Sequence, residues 1–284
     1  MSRRRAAATR PILLDRSLEA LPLFRLSDSA DEGAVTYSPE TGGRWRVLPA
    51  PGDRLPGTFD QDVYVELLHR YQEAGTPADG VVSFTLHAFL RSMDRRVDGR
   101  TYEQLRAALA RLAHTVLESA GGAYASIDAE TGVRTVDARF SILTSVTIDR
   151  RRSVDRDQLA LFPTLTAGEP GDARVTLSPL LLANVRGGHT VTISAAQYGA
   201  LPSATARRLY RLVEVARTEG RAMWRVALNA LAEQLPLTQR YPSHLQRVLQ
   251  PAHDMLIGAG VVQDATVRQH QRDWFVDYVL AGRT

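Results

Sequence analysis

The side chains able to do chemistry in this chain are overwhelmingly arginines. Its 35 basic residues are all arginine, with no lysine and no cysteine anywhere in the 284 positions. Lacking lysine, the chain has no amine for a Schiff base, no phosphate-gripping lysine of a P-loop and no serine–lysine pair. Lacking cysteine, it has no disulfide, thiolate metal site or thiol nucleophile. The seven histidines (His69, His87, His114, His189, His244, His253 and His270) are scattered, without an HExxH motif or a His-x-His pair. A metal centre, and with it a metal-dependent nickase, therefore has no ligand cluster to build on. His253-Asp254 has no GxSxG elbow beside it, and no GxxxxGK loop occurs. A protein without catalysis, cofactor or metal is expected. What arginine offers instead is a planar fork of donors that matches phosphate oxygens and guanine edges. A net charge of +4 and a pI of 9.7 fit a polyanionic partner such as double-stranded DNA.

Helices and turns must position those arginines. In the stretch from Asp98 to Arg150, the spacing predicts a helix over Thr101 to Glu118. Its buried stripe is Tyr102, Leu105, Ala108, Leu109, Leu112 and Val116, and its outer face is Arg100, Glu103, Gln104, Ala107, Arg111 and His114. Small alanines between long polar side chains let such a helix approach a groove, with Gln104 and Arg111 reaching base edges. A hairpin pattern follows with Gly132 at its turn, carrying Arg134, Arg139, Arg150, Arg151 and Arg152 as candidate phosphate contacts. Two helices precede the reading helix, from Gln61 to Glu73 and from Phe84 to Met93. Helix, helix, helix, ribbon is the order of a winged helix.

The second half repeats the plan. Strand patterns at RVTLS and HTVTIS lead to a helix from Ser203 to Thr218, with Leu209, Leu212, Val213 and Ala216 inside and Arg207, Arg208, Arg211 and Arg217 outside. A second helix is predicted from Met223 to Leu235. A third, opened by Pro242 and kinked at Pro251, runs to Ile257 with Ser243, Gln246, Arg247 and Gln250 facing outward. Two strands around a polar turn close the chain.

The expected fold class is α+β: two tandem winged-helix domains over residues 41–160 and 161–284, behind a partly disordered N-terminal arm over 1–40. The Pro- and Gly-rich run between Ser153 and Asp172 marks the boundary. The DNA-binding residues expected are Arg100, Gln104, Arg111, Arg134, Arg150 and Arg151 in the first unit, and Arg207, Arg208, Ser243, Gln246, Arg247 and Gln250 in the second. No run of about 18 apolar residues and no secretory leader are found, so a cytoplasmic, nucleoid- or plasmid-associated location without membrane contact is expected.

Three runs carry a more specific likeness. Trp45-Arg46-Val47-Leu48-Pro49 through Leu55-Pro56-Gly57-Thr58-Phe59-Asp60-Gln61-Asp62-Val63-Tyr64 resembles the opening of plasmid replication initiators of the replication initiator protein A family. Arg100-Thr101-Tyr102 with Leu105, Ala108, Leu109, Arg111 and Leu112, and Ala206-Arg207-Arg208-Leu209-Tyr210-Arg211-Leu212, are similar to that family as well. The resemblance implies tandem winged helices that bind repeated origin sites, recruit host replication proteins such as the helicase, and repress their own promoter. Whether monomer or homodimer binds is left open. The competing expectation is a winged-helix transcription regulator without a replication role; a second reading unit in place of an effector domain favours the initiator.

Overall fold

A computed structural model of the chain describes residues 11–26, 33–39, 42–128, 130–149, 172–239 and 241–282. The elements run β1 (Ile12–Asp15), α1 (Arg16–Glu19), β2 (Val35–Tyr37), β3 (Arg44–Leu48), α2 (Thr58–Glu73), β4 (Val81–Thr85), α3 (Leu86–Ser92), α4 (Gly99–His114), β5 (Val116–Asp128), β6 (Gly132–Phe140), β7 (Leu143–Ile148) and β8 (Asp172–Leu177). The chain continues through α5 (Pro179–Arg186), β9 (Thr190–Ile193), α6 (Ala195–Ala200), α7 (Ala204–Thr218), β10 (Met223–Ala227), α8 (Leu228–Gln234), α9 (Pro242–Gly258), β11 (Val262–His270) and β12 (Asp273–Leu280).

Helix starts follow local chemistry. Asp98 and Thr101 cap α4 reciprocally, each side chain accepting the other's backbone N–H at 2.9 and 3.1 Å. Thr85 accepts the Ala88 N–H at the head of α3, and Ser203 that of Ala206 at the head of α7. Pro242 occupies the first turn of α9, where its missing N–H costs nothing, and the helix continues through Pro251 to Gly258. On α4 the stripe Leu105, Ala108, Leu109 and Leu112 is buried as expected, but the helix ends at His114. Thr115, Val116 and Leu117 turn extended because β5 pairs with β3, Leu117 opposite Val47. Beyond that point the strands cross closely: Gly43 takes a positive φ, and a Cβ there would stand 2.7 Å from the Gly121 carbonyl oxygen.

The two halves share one plan. In the second, α7, β10, α8, α9, β11 and β12 follow in order, and the sheet runs β10-β12-β11. In the first, α2, β4, α3 and α4 are followed by β7 and β8, and the sheet runs β4-β8-β7. First, last, middle is the strand order in both. The β5–β6 hairpin intrudes between α4 and β7 and joins a separate sheet, β2-β3-β5-β6.

Several expectations are corrected here. The ribbon completing the first unit is β7–β8, not the β5–β6 hairpin that follows α4 directly. The boundary expected between Ser153 and Asp172 falls between two paired strands, Ile148 opposite Ala173, which carries the first unit on to Leu177. Helix from Met223 is replaced by strand β10, because Met223, Trp224 and Arg225 alternate exposed, buried, exposed against β12. The apolar run Leu180 to Val185 is helical, and within the N-terminal arm the segment from Ile12 to Phe24 contributes to the core. There β1 pairs with β9, Ile12 opposite Ile193, and Leu14, Leu18, Leu21, Leu23 and Phe24 are buried.

Buried polar groups cluster where the halves meet. Asp15 accepts the Leu18 N–H at 3.1 Å, the Asn184 amide at 2.9 Å and the Tyr124 hydroxyl. Desolvation outweighs these donors and raises its pKa to about 7. In the second half His253, fully buried with Nε2 2.8 Å from the Tyr278 hydroxyl, is pushed the other way by desolvation, down to about 4. For His253 the folded pKa is depressed, so its contribution to stability is present above about 6.5 and lost as pH falls through about 4. We expect the stability advantage of the natural protein over His253→Gln to shrink by about 1.4 kcal/mol per pH unit across that window, read by urea unfolding. A difference independent of pH would mean that the imidazole is charged inside the fold.

Candidate nucleic-acid interface

The third helix of each unit offers a polar outer face. On α4, Arg100, Glu103, Gln104, Ala107 and His114 are exposed, and Arg100 has no ion-pair partner among the described residues. Arg106 folds back on Glu103 at 2.5 Å. On α9, Ser243, Arg247 and Gln250 are exposed and Gln246 is half-buried, over a floor of Leu245, Leu249, Ala252 and Leu256. Gln250 donates to Asp254 at 2.8 Å, one turn on. Tyr241, at the head of α9, is the most open of the large apolar side chains at 71% exposure, its ring 5.8 Å from that of His244.

The structure separates the expected arginines into two kinds. Arg111 faces inward and is 7% exposed, its Nη2 2.8 Å from Asp60 Oδ1 and its Nε 3.2 Å from both carboxylate oxygens. Arg208 is 2% exposed, donating to Glu19 Oε2 at 3.1 Å and to the Glu19 and Leu21 carbonyls at 2.8 and 2.7 Å. Burial lowers its pKa to about 10, still far above neutrality. Arg207 is half-buried on Asp62 at 2.5 Å and the Leu201 carbonyl at 2.7 Å. Arg211, also expected outside, holds Glu19 from within the core. These side chains satisfy buried carboxylates, so the expectation that Arg111, Arg207 and Arg208 face outward is corrected. Arg134 is exposed on β6, 3.6 Å from Asp128. Arg150 and Arg151 lie outside the described residues, as do Arg3, Arg4, Arg5, Arg10 and Arg152.

The ribbons present further arginines that sequence reasoning passed over. On β8, Arg174 is exposed in the row Ser83, Arg174, Thr147 that crosses three strands. On β11 and the turn after it, Arg268 and Arg272 are exposed. The alternation in Ala173-Arg174-Val175-Thr176-Leu177 signals a strand with Arg174 outward. What it cannot signal is the partner, since β4 lies some 90 positions earlier in the chain.

Among the described residues no group of three or more His, Asp or Glu is placed to hold a metal ion, and no helix is long and apolar enough to cross a membrane.

Two sets of three helices, each with a three-stranded sheet of the same strand order, turn a polar helix face and exposed arginines outward. The chain belongs to the family described as replication initiator protein A, whose model matches residues 15–254. DNA binding in the initiation of replication is thereby its class of work. No curated protein sequence matches it. Among solved structures, domains 2 and 3 of RctB align with a TM-score of 0.56 at 10% identity, covering 92% of this chain and 95% of that one. A second structure of the same RctB domains gives 0.54 at 10%, covering 94% and 97%. A Pi initiator protein solved with iteron DNA aligns more loosely, at 0.46 and 12%, covering 80% and 94%.

Proposed function

We propose that the chain is an origin-binding replication initiator that reads double-stranded DNA through two winged-helix units and brings host replication proteins, the helicase among them, to repeated origin sites. α4 and α9 are the reading helices; β7–β8 and β11–β12 are the wings. Arg100 and Gln104 in the first unit, and Ser243, Gln246, Arg247 and Gln250 in the second, face base edges. Arg134, Arg139, Arg174, Arg268 and Arg272 face phosphates, which fixes register without reading sequence. The observation that carries this reading is the shared first-last-middle sheet order of the two units, each with an exposed polar face on its third helix.

A duplex recovered from a random-sequence pool tests it. Gln104→Ala and Arg247→Ala should each weaken binding to that duplex by about 1–3 kcal/mol, with melting temperatures unchanged because neither side chain is buried. Unaltered affinity in both variants would remove α4 and α9 as readers.

A further inference from the structure

We infer that Asp60, Gln61 and Asp62, the first turn of α2, lock the two reading helices at one separation, so that the protein accepts a single spacing between the two halves of its DNA site. The inference rests on the duplex-reading function proposed above.

The three side chains are consecutive, buried and pointed at three different elements. Asp60 holds Arg111 of α4. Gln61 Oε1 accepts from Arg211 Nη2 of α7 at 2.6 Å, and its amide donates to the Ala204 carbonyl at 3.2 Å. Asp62 accepts from Arg207 at 2.5 Å and from the Tyr198 hydroxyl at 2.9 Å, both in the second half, and from Arg95 of the first half at 2.7 Å. From α7 the path reaches α9 by direct packing. Charge-assisted contacts thus run from α4 through α2 to α7, and packing carries the path on to α9. α7 itself is buried over nearly its whole surface, Ala206 and Arg208 through Ala216, as a bolt between halves would be.

Hinges absorb motion at a few exposed, weakly held residues. This joint is the opposite: opening it would leave guanidinium and carboxylate groups in the interior without counter-charges. On B-DNA, each inserted base pair turns the second half-site by roughly a tenth of a turn about the axis. A locked pair of readers cannot follow that rotation. Asp62 and Arg207 are accordingly positioning residues, acting on DNA through the helices they hold.

The absence of cysteine makes the test direct, since Ala107→Cys on α4 and Ser243→Cys on α9 would carry the only two spin labels. Pulsed dipolar spectroscopy on the free protein should give a narrow distance distribution. Asp62→Asn and the milder Arg207→Gln should broaden it, whereas Arg95→Ala, which cuts a bond within the first half, should not. Selection from random duplexes should return paired sequence blocks at one spacing with the natural protein and at several spacings with Arg207→Gln. A narrow distribution in a folded Arg207→Gln protein, a broad one in the natural protein, or several spacings selected by the natural protein would each overturn the inference. If the distances behave as expected but the natural protein selects no duplex, DNA reading has failed and the joint has not.

Discussion

Replacing Glu19 with glutamine should cost about 3–5 kcal/mol of folding stability, the range expected when one partner of a buried charge pair is removed. Glu19 is 1% exposed and serves two arginines at once: Arg208 Nη1 at 3.1 Å, and Arg211 Nη1 at 2.9 and 3.0 Å. Glutamine keeps the shape but removes the only carboxylate that the two guanidinium groups contact among the described residues. Arg211 would retain Gln61 and the face of Phe24, 5.5 Å away, neither of which carries charge. Urea unfolding reads the loss as a lower midpoint at unchanged slope. Replacing all three residues together with apolar ones should return much of the stability, since a vacated ionic cluster filled by packed hydrocarbon is frequently no less stable. An unmoved midpoint in Glu19→Gln would mean that water reaches the two arginines.

The second large effect is on binding. If the exposed arginines of both units meet phosphates, the logarithm of affinity should fall linearly with the logarithm of salt concentration, with a slope of about −0.9 for each phosphate neutralised. With six or more contacts, affinity should drop by about three orders of magnitude or more between roughly 50 and 200 mM salt. Arg174→Ala, Arg268→Ala and Arg272→Ala should each flatten the slope by about one contact and weaken all sequences alike. Variants at Gln104 should leave the slope alone and change which sequences bind. A flat plot for the natural protein would rule out the duplex as its partner.

How legible these residues were depended on what fixes each one. Capping pairs, apolar stripes and proline placement lie within one turn of each other, so α2, α4, α7 and α9 could be read in place. The stripe on α4 could be read too; Arg111 could not, because it sits at the stripe's edge and the carboxylate that draws it inward belongs to a helix 51 residues earlier. On α7 the apolar positions were right, yet the arginines between them look in sequence like a solvated face. They are buried because the N-terminal segment and α2 pack over that face, and no local pattern announces a second covering layer. The wing of the first unit was misplaced for a related reason. β5 and β6 follow α4 immediately and carry hairpin signals of their own, while β7 and β8 pair across the long stretch between Ile148 and Asp172 and join the unit through β4. Within the run Leu55 to Tyr64, part of the family likeness, Asp60, Gln61 and Asp62 are buried and bonded to Arg111, Arg211 and Arg207.

The pairing of β1 with β9, and of Glu19 with Arg211, also bears on the order in which the molecule is made. Leu13, Pro22 and Phe24 meet Gln72, Trp45 and Tyr64 within the first half, but β1 gains its strand partner and Glu19 its arginines only when the chain has been synthesised to about Arg211, 192 residues after Glu19. Until then the Glu19 carboxylate lacks both guanidinium groups and the edge of β1 is unpaired. Folding that begins at the N-terminus on the ribosome therefore cannot end there. β1 and Glu19 are thus among the last groups to be enclosed, and contacts of such long sequence separation form slowly.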